Sequence, residues 1–232
     1  MLKQRTVAIA LIALVLAVPS FSQTSSPPAA PAPQDTSQGK QSKPTPGILG
    51  GRRIVAADTQ APPLSAKDKF VLATKNSFDW TSLVRAGLVA GIGQARDSYP
   101  EFHQGGAGFG RYYWHAYADQ AVSNYFTQFI VPAATHEDPR YFVRGHGGFF
   151  SRTGYALSRL FVTRTDSGDQ TVNFSEIIGS GAAAGISSRY YPEPERTWTK
   201  TGHRWLTQVG IDGGLNVLQE FWPSIRHGVL RK

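Results

Sequence analysis

The chain has 232 residues, a formal net charge of +8 and no cysteine. Without cysteine, a disulfide-stabilised fold and a lipid-anchored lipoprotein are both excluded. The basic residues are spread along the chain without a Lys/Arg block, which argues against nucleic-acid binding and favours contact with anionic envelope material such as phospholipid headgroups or lipopolysaccharide.

Residues 1–22 have the three parts of a cleavable secretory signal peptide. Lys3 and Arg5 precede an almost wholly apolar run, Thr6–Val18, and small serines stand just before the predicted cut. The alternative is an uncleaved membrane anchor, but the run is shorter than the roughly 20 residues that a spanning helix needs. Export without cysteine is typical of a bacterial envelope protein. We therefore expect a periplasmic or outer-membrane-associated protein with a mature net charge of about +6.

The remaining chain divides into a linker, one domain and a short tail. Residues 23–64 are rich in Pro, Ser and Ala and carry too little apolar surface to offset their ordering entropy. Within this linker, Gly47–Val55 is more apolar, and it is interpreted as a short extended arm laid on the domain. Residues 65–226 are rich in aromatic residues and form one domain, and residues 227–232 form the tail.

The domain is predicted to be all-α, a compact bundle of five or six helices. A capping box at Ser65–Asp68 begins the first helix. Gly105–Gly110 is interpreted as a loop, Pro132 as a helix end or kink, and His136–Phe142 as a turn with a short helical piece. Strands are the alternative, but alternating apolar and polar runs are few. The predicted helices cover residues 66–76, 80–96, 111–131, 150–164, 174–189 and 201–221.

Apolar residues recur at helical spacing and predict which face of each helix is apolar. In the third helix this face is formed by Tyr113, Tyr117, Ala121, Tyr125 and Phe129. In the fourth helix, Phe150, Leu157 and Phe161 are predicted to point inward. In the last helix a polar row is interpreted as the solvated face, and the other face is apolar. The polar row comprises Arg204, Gln208, Asp212, Asn216 and Glu220, and the apolar face comprises Ile211, Leu215, Leu218 and Trp222.

Pairs of glycines four residues apart occur in the middle of two predicted helices. Glycine costs about 1 kcal/mol in a helix interior, so these pairs predict close backbone contact between helices, as in membrane bundles. The alternatives are insertion into lipid and a tightly packed soluble core. Arg85 and Glu176 leave apolar runs too short to span a bilayer. The glycine pairs are Gly87 with Gly91 and Gly181 with Gly185, and Gly93, Gly179 and Ala183 lie beside them.

Two clusters of titratable residues are weak candidates for catalysis. His115 and Asp119 lie four apart on the third helix, where Asp119 could orient His115 as a base. The alternative is an ordinary polar helix face. His136 and Glu137 match the first two positions of the zinc-protease helix motif. Arg140 occupies the position of the second zinc-binding histidine, so a zinc-protease site is rejected. The alternative there is a structural turn in which acids cap the following short helix.

Arginines between residues 140 and 164 are weak candidates for an anion site. Arg152 and Arg159 are seven apart on one helix face and could hold a phosphate or carboxylate together with Arg140. They could equally pair with acidic side chains. If the polar row of the last helix were buried, Asp212 and Glu220 would need cations, and Arg152 or Arg159 would be the partners. The six histidines lack metal-ligand spacing, so neither a metal nor another cofactor is predicted.

Short motifs spread over residues 65–225 resemble those of an uncharacterised family of exported bacterial envelope proteins. No activity is known for such a family, so the resemblance implies one unit of structure and no catalytic residue. The motifs are Lys69-Phe-Val-Leu, Asn76-Ser-Phe-Asp79, Gln94-Ala, Gly108-Phe-Gly-Arg-Tyr112, Ala116-Tyr-Ala-Asp119, His136-Glu-Asp-Pro-Arg-Tyr-Phe142, Tyr155-Ala-Leu-Ser-Arg159, Thr163-Arg-Thr-Asp-Ser-Gly168, Asn173-Phe-Ser-Glu176, Tyr190-Tyr-Pro192 and Glu220-Phe-Trp-Pro223.

These observations leave two functional hypotheses. The first is a non-enzymatic envelope protein that is held to a membrane surface or an envelope partner protein by its glycine-rich helices. The second is a periplasmic hydrolase or anion-binding protein that uses His115, Asp119, His136, Glu137 and the arginines. The second hypothesis requires a histidine and an arginine of these sets to share one concave pocket.

Overall fold

A computed structural model describes residues 52–56 and 61–230, and this part of the chain is mostly helical, as predicted. The predicted signal peptide and most of the predicted linker lie outside the described residues. The elements in chain order are β1 (Ile54–Ala56), α1 (Ala66–Phe78), α2 (Trp80–Ala95), α3 (Gly105–Tyr125), a first π segment (Phe126–Ile130), α4 (Val131–Thr135), β2 (Glu137–Asp138), β3 (Tyr141–Val143), α5 (Phe149–Ser158), β4 (Val162–Thr165), β5 (Gln170–Val172), a second π segment (Ser175–Gly179), α6 (Ser180–Ser187) and α7 (Trp198–Leu230).

The capping box predicted at the start of α1 is confirmed. The backbone N–H of Asp68 donates to the Ser65 hydroxyl at 3.2 Å, and the backbone N–H of Ser65 donates to the Asp68 carboxylate at 3.2 Å. These two bonds satisfy donors that have no partner inside the helix. Helix α2 follows immediately after Asp79 and packs along α3.

The prediction that Gly105–Gly110 forms a loop is wrong, because α3 already begins at Gly105. The first turn of this helix folds onto the preceding 3₁₀ turn at Pro100–Phe102. A Cβ atom on Gly108 would lie 2.1 Å from the carbonyl oxygen of His103. Glycine is therefore required here by a close backbone approach inside a helix, and not by a loop conformation.

Pro132 neither ends nor interrupts the long third helix, which runs on through the first π segment into α4. Proline has no N–H, and in a regular α-helix its ring collides with the carbonyl four residues earlier. The π segment directly before Pro132 widens the turn at that position. The helix ends instead at Thr135, where His136 adopts the left-handed conformation with φ of 55°.

Short strands replace helix in two places. The turn with a short helical piece predicted at 136–142 forms β2 and β3, and the helix predicted over 150–164 ends at Ser158, with β4 after it. Strand β1 pairs in parallel with β3, with Ile54 opposite Tyr141, which confirms the C-terminal end of the predicted extended arm; residues 47–51 of the arm lie outside the described residues. Strands β2, β4 and β5 form an antiparallel sheet. Val162, Thr163 and Thr165 are β-branched and favour strand over helix in β4.

The polar face of α3, and not its aromatic face, points into the protein. Tyr113, Tyr117, Tyr125 and Phe129 are only half-buried, and Phe129 packs edge-on against the exposed Phe70 of α1. The buried positions on α3 and the first π segment are occupied mainly by small or amide-bearing polar side chains. These are Gln120, Ser123, Asn124, Thr127 and Gln128.

The predicted orientation of α5 is also wrong, and that of α7 is wrong in part. Phe150 is 87 % exposed and Phe161 after the helix is 62 % exposed, whereas Arg152 is buried. On α7, Asn216 and Glu220 of the predicted solvated row are buried, and Leu218 of the predicted apolar face is exposed. Leu215 of that apolar face is buried, and Trp222 packs against the core, as predicted. Helix α7 also continues through Pro223 to Leu230, beyond its predicted end.

Polar groups dominate the interior of the described part of the chain. There, 26 buried residues are polar or charged, and only 17 are apolar, six of which are alanine. In contrast, 25 large apolar side chains are exposed. Buried polar groups are costly unless they are hydrogen-bonded or paired. The bundle therefore depends on side-chain hydrogen bonds and ion pairs more than on an apolar core.

The paired glycines are not the closest contacts: a Cβ on Gly91 or Gly185 would have no atom within 4 Å, and a Cβ on Gly87 or Gly181 would make only ordinary contact at 3.7 Å. Closer contact occurs at two of the glycines that lie beside these pairs. A Cβ on Gly93 would lie 3.1 Å from the Tyr112 ring, and a Cβ on Gly179 would lie 3.2 Å from the Phe126 carbonyl oxygen. The second of these contacts joins the two π segments.

We expect Gly179→Ala to lower the free energy of unfolding by about 1–3 kcal/mol, because the added methyl group would press on backbone that cannot move aside. The matched control is Gly185→Ala in α6, where the site is open and the helix should gain about 0.5–1 kcal/mol. Urea unfolding followed by circular dichroism measures both values. Equal effects at the two positions would contradict close contact between the π segments.

Candidate functional site

The structure does not join His115 and Asp119 into a catalytic pair. The His115 ring nitrogens lie 2.7 Å from the Arg111 carbonyl oxygen and 3.2 Å from the Tyr190 carbonyl oxygen. The Asp119 carboxylate accepts hydrogen bonds from the hydroxyls of Tyr190 and Tyr191 at 2.5 and 2.7 Å. Burial and the Asp119 charge raise the pKa of both tyrosines. These hydrogen bonds connect α3 to the segment after α6, so the cluster has a structural role.

His136 and Glu137 are separated by their environments. His136 is exposed, whereas Glu137 is buried and accepts hydrogen bonds from the backbone N–H groups of Phe174 and Ser175 at 3.1 and 3.0 Å. Glu137 thus caps the second π segment, far along the chain, and not the following short helix as the structural alternative predicted. A carboxylate at a helix N-terminus also interacts favourably with the helix dipole.

The candidate anion-binding arginines have separate partners. Arg140 binds the Asp138 carboxylate at 2.5 Å, and Arg152 binds the Glu220 carboxylate at 3.1 Å. Arg159 lies over the Tyr155 ring with its guanidinium carbon 4.6 Å from the centroid. The conditional prediction that a buried Glu220 pairs with Arg152 is confirmed. Asp212 lies nearest Arg85 instead, at 3.9 Å.

A small polar cavity lies elsewhere, lined by residues of both π segments, α2, α3 and α7 together with Arg52 beside β1. Its volume is about 20 Å³, room for one or two water molecules. Four of the lining residues are charged, and apart from Leu215 all the others carry amides or hydroxyls. The charged residues are Arg52, Arg85, Glu176 and Asp212. π turns occur frequently at functional sites, and two of them meet here.

The cavity is built by residues that sequence reasoning did not select. The available signal was a run of small and amide-bearing side chains at 123–128, within an otherwise aromatic helix, and Glu176 within the apolar run of the second π segment. From the sequence, Glu176 is interpreted as a charge that shortens an apolar span and, with Asp166 and Asp169, as an acidic partner for the arginines between residues 144 and 164. Arg52 is 124 positions away along the chain, so no spacing could have connected it with Glu176.

The charges in the cavity form two pairs of unequal quality. Arg52 donates to Glu176 Oε2 at 2.7 Å, a true hydrogen-bonded ion pair. The Arg85 and Asp212 charges approach only to 3.9 Å, too far for a hydrogen bond. Burial, and then the Asp212 charge, raise the pKa of Glu176 to about 7 against the opposing effect of Arg52 and Arg85. Burial also lowers the pKa of Arg85.

Two acceptor oxygens at the cavity lack a hydrogen-bond partner among the described residues, Oε1 of Glu176 and Oε1 of Gln219. Both side chains are almost completely buried. The arrangement can bind water or take up a proton. Within the described residues, no group of three or more His, Cys, Asp or Glu side chains is placed to hold a metal ion. Comparison of the chain with protein-family models, with curated proteins and with solved structures finds no match.

Proposed function

We propose that this protein is an exported bacterial envelope protein that binds a lipid bilayer through its apolar exterior, with a structural or interaction role. The observation that supports the proposal is the reversed distribution of side chains on α3 and α5, with polar residues inward and apolar residues outward, together with the buried polar residues Asn216, Gln219 and Glu220 on α7. A water-exposed helix normally shows the opposite arrangement. An apolar solvent around the bundle accounts for this reversal.

Helix α2 and the end of α1 carry seven exposed large apolar side chains: Phe78, Trp80, Leu83, Val84, Leu88, Val89 and Ile92. Trp80 is 70 % exposed, Phe78 65 %, and Leu88 and Ile92 55 % each. Proteins that are monomeric in water rarely expose large apolar patches. None of the described helices combines the length and apolar character needed to cross a bilayer. The proposed binding mode is therefore in the plane of the interface, with side chains inserted at the boundary of headgroups and acyl chains.

Lipid explains the exterior better than a second copy of the chain. The exposed apolar side chains lie on α1, α2, α5, the second π segment and α7, whereas a symmetric dimer would cover one patch. Trp80, Trp114 and Trp198 are all more than half exposed, and tryptophan is enriched at membrane interfaces. The net charge of about +6 on the mature chain favours anionic headgroups.

The contacts of the other candidate residues also support a non-enzymatic role. A hydrolase or anion-binding protein would need His115 or His136 next to Arg152 or Arg159 in one pocket. His115 instead contacts backbone carbonyls, His136 is exposed, and Arg152 is paired with a buried carboxylate. The cavity among the charged residues includes none of these four side chains.

We expect the full chain to float with vesicles of anionic phospholipid in a density gradient, and Ile92→Glu to reduce the bound fraction at least tenfold. A charge at this exposed position would lose apolar contact with the bilayer and repel anionic headgroups. Gln170→Glu in the exposed β5 strand adds the same charge away from α2 and should leave flotation unchanged.

Circular dichroism in detergent confirms that both variants keep their helices. If the wild-type chain remains at the bottom of the gradient, the membrane proposal is wrong. Equal loss of flotation in both variants would show that net charge, and not the apolar face of α2, determines binding. High salt distinguishes the two contributions further, since it screens headgroup attraction without weakening apolar insertion.

A further inference from the structure

The side chain of Glu176 is poorly matched to its surroundings in the cavity. It is 2 % exposed, one carboxylate oxygen binds Arg52, and the other has no partner among the described residues. A buried carboxylate oxygen that is left unpaired is expensive, so a missing donor is expected next to it. Gln219 lines the same cavity and is 1 % exposed, and its Oε1 also lacks a hydrogen-bond donor among the described residues.

The size and lining of the cavity restrict what can supply that donor. About 20 Å³ accommodates one or two water molecules and excludes an organic ligand. The cationic groups Arg52 and Arg85 already face the acidic pair, which disfavours a further cation. Water is both small and able to donate and accept, and buried water commonly satisfies groups of this kind.

We propose that this cavity is a buried proton-binding site, in which Glu176 shares ordered water with Gln219 and alternates between an ionised form paired with Arg52 and a protonated form. In the protonated form the new O–H donates to the water or to Gln219 Oε1. The proton comes from solvent through this water, and no covalent bond other than O–H forms or breaks. This inference stands independently of lipid binding.

The charged groups around Glu176 determine how readily it takes up the proton. Arg52 and Arg85 favour the carboxylate, while Asp212 and burial favour the protonated acid. Glu137 acts at the start of the same π segment, where it holds the backbone N–H groups of Phe174 and Ser175. The balance is close, because the 3.9 Å separation leaves the Asp212 charge only partly compensated by Arg85.

Proton uptake also affects the N-terminal arm. Arg52 lies two residues before the start of β1, whose residues Ile54 and Val55 are buried and paired with β3. Loss of the carboxylate charge weakens the ion pair that anchors this arm to the second π segment. The protection factors of the β1 amides, which correct for base-catalysed intrinsic exchange, should then be lower at pH 5 than at pH 8, in contrast to those of the β4 and β5 amides.

Infrared spectroscopy of the full chain across pH 4–9 tests the site directly. We expect the carbonyl band of a protonated carboxylic acid to persist above pH 6 and to be absent from Glu176→Gln. Asp212→Asn removes a negative charge and should shift the midpoint down by about one pH unit, whereas Arg52→Gln should shift it up by a similar amount. These opposite shifts test the site even if Glu176→Gln fails to fold.

Each result has a definite meaning. A midpoint that stays near the ordinary range of glutamate, or that moves in the same direction in both variants, would overturn the proposal. Replacing chloride by gluconate at constant ionic strength should leave the midpoint unchanged. A midpoint that depends on chloride would mean that an anion occupies the cavity, and the assignment of water would then be wrong.

Discussion

We expect Glu220→Gln to lower the free energy of unfolding by about 3–5 kcal/mol, the largest single effect of any substitution considered. Glu220 is 0 % exposed, and its carboxylate is the common acceptor for donors from α5, β3 and the segment after β3. The backbone N–H groups of Arg144 and Gly145 donate to its carboxylate at 3.0 and 2.9 Å, and Arg152 Nε donates at 3.1 Å.

The loss of stability arises because the substitution leaves a buried charge and a buried N–H donor without partners. Without the carboxylate, the Arg152 guanidinium, 7 % exposed, would be a buried charge with no anion. Glutamine would also direct an NH₂ group at N–H donors, so at least one buried donor would lose its acceptor. Arg152 stacks on the Phe221 ring at 4.3 Å and donates to the Ser224 hydroxyl at 3.0 Å, but neither contact neutralises its charge.

Chemical unfolding in detergent measures the effect, and Glu193→Gln is the control. Glu193 is exposed, so the same change from acid to amide should alter the free energy of unfolding by less than about 0.5 kcal/mol. A loss below about 1 kcal/mol for Glu220→Gln would show that water already reaches this network. The polar interior would then contribute little to stability.

The Arg152–Glu220 pair shows both what the sequence could predict and what it could not. Residue spacing placed Glu220 in a polar row and named Arg152 as a partner for it if the row were buried. The same spacing could not decide whether the row was buried. Periodicity reports that a helix has two unlike faces, but which face turns inward depends on the surrounding solvent. The predicted orientations place the polar rows in water, whereas α3 and α5 have the reverse orientation and α7 buries Asn216 and Glu220 together with Leu215.

The cavity was beyond prediction for a different reason. Thr127, Gln128 and Glu176 lie on π segments, where each turn contains an extra residue and the face that points inward changes along the chain. A prediction based on 3.6 residues per turn misplaces these side chains. Sequence patterns predict structure more reliably where the interacting residues are close along the chain. The Ser65–Asp68 capping box joins residues three positions apart, and the structure confirms it.

We also expect the fold to become less stable as the pH rises from 5 to 8, by about 2–3 kcal/mol from Glu176 alone. The pKa of this residue is raised to about 7 in the folded protein, from an ordinary value of 4.5. A raised pKa means that the fold favours the protonated acid. The stabilising contribution is therefore complete below about pH 4.5 and is lost as the pH passes through 7.

The free energy of unfolding at a series of pH values measures this contribution in wild type and in Glu176→Gln. The variant should lack the decline between pH 5 and 8, and its stability relative to wild type should improve steadily over that range. Glu101→Gln, a change at an exposed acid, should follow the wild-type curve. If instead Glu176→Gln were equally destabilising at pH 5 and pH 8, Glu176 would be held ionised by Arg52 throughout. The ion pair would then outweigh burial, and the arm would be anchored independently of pH.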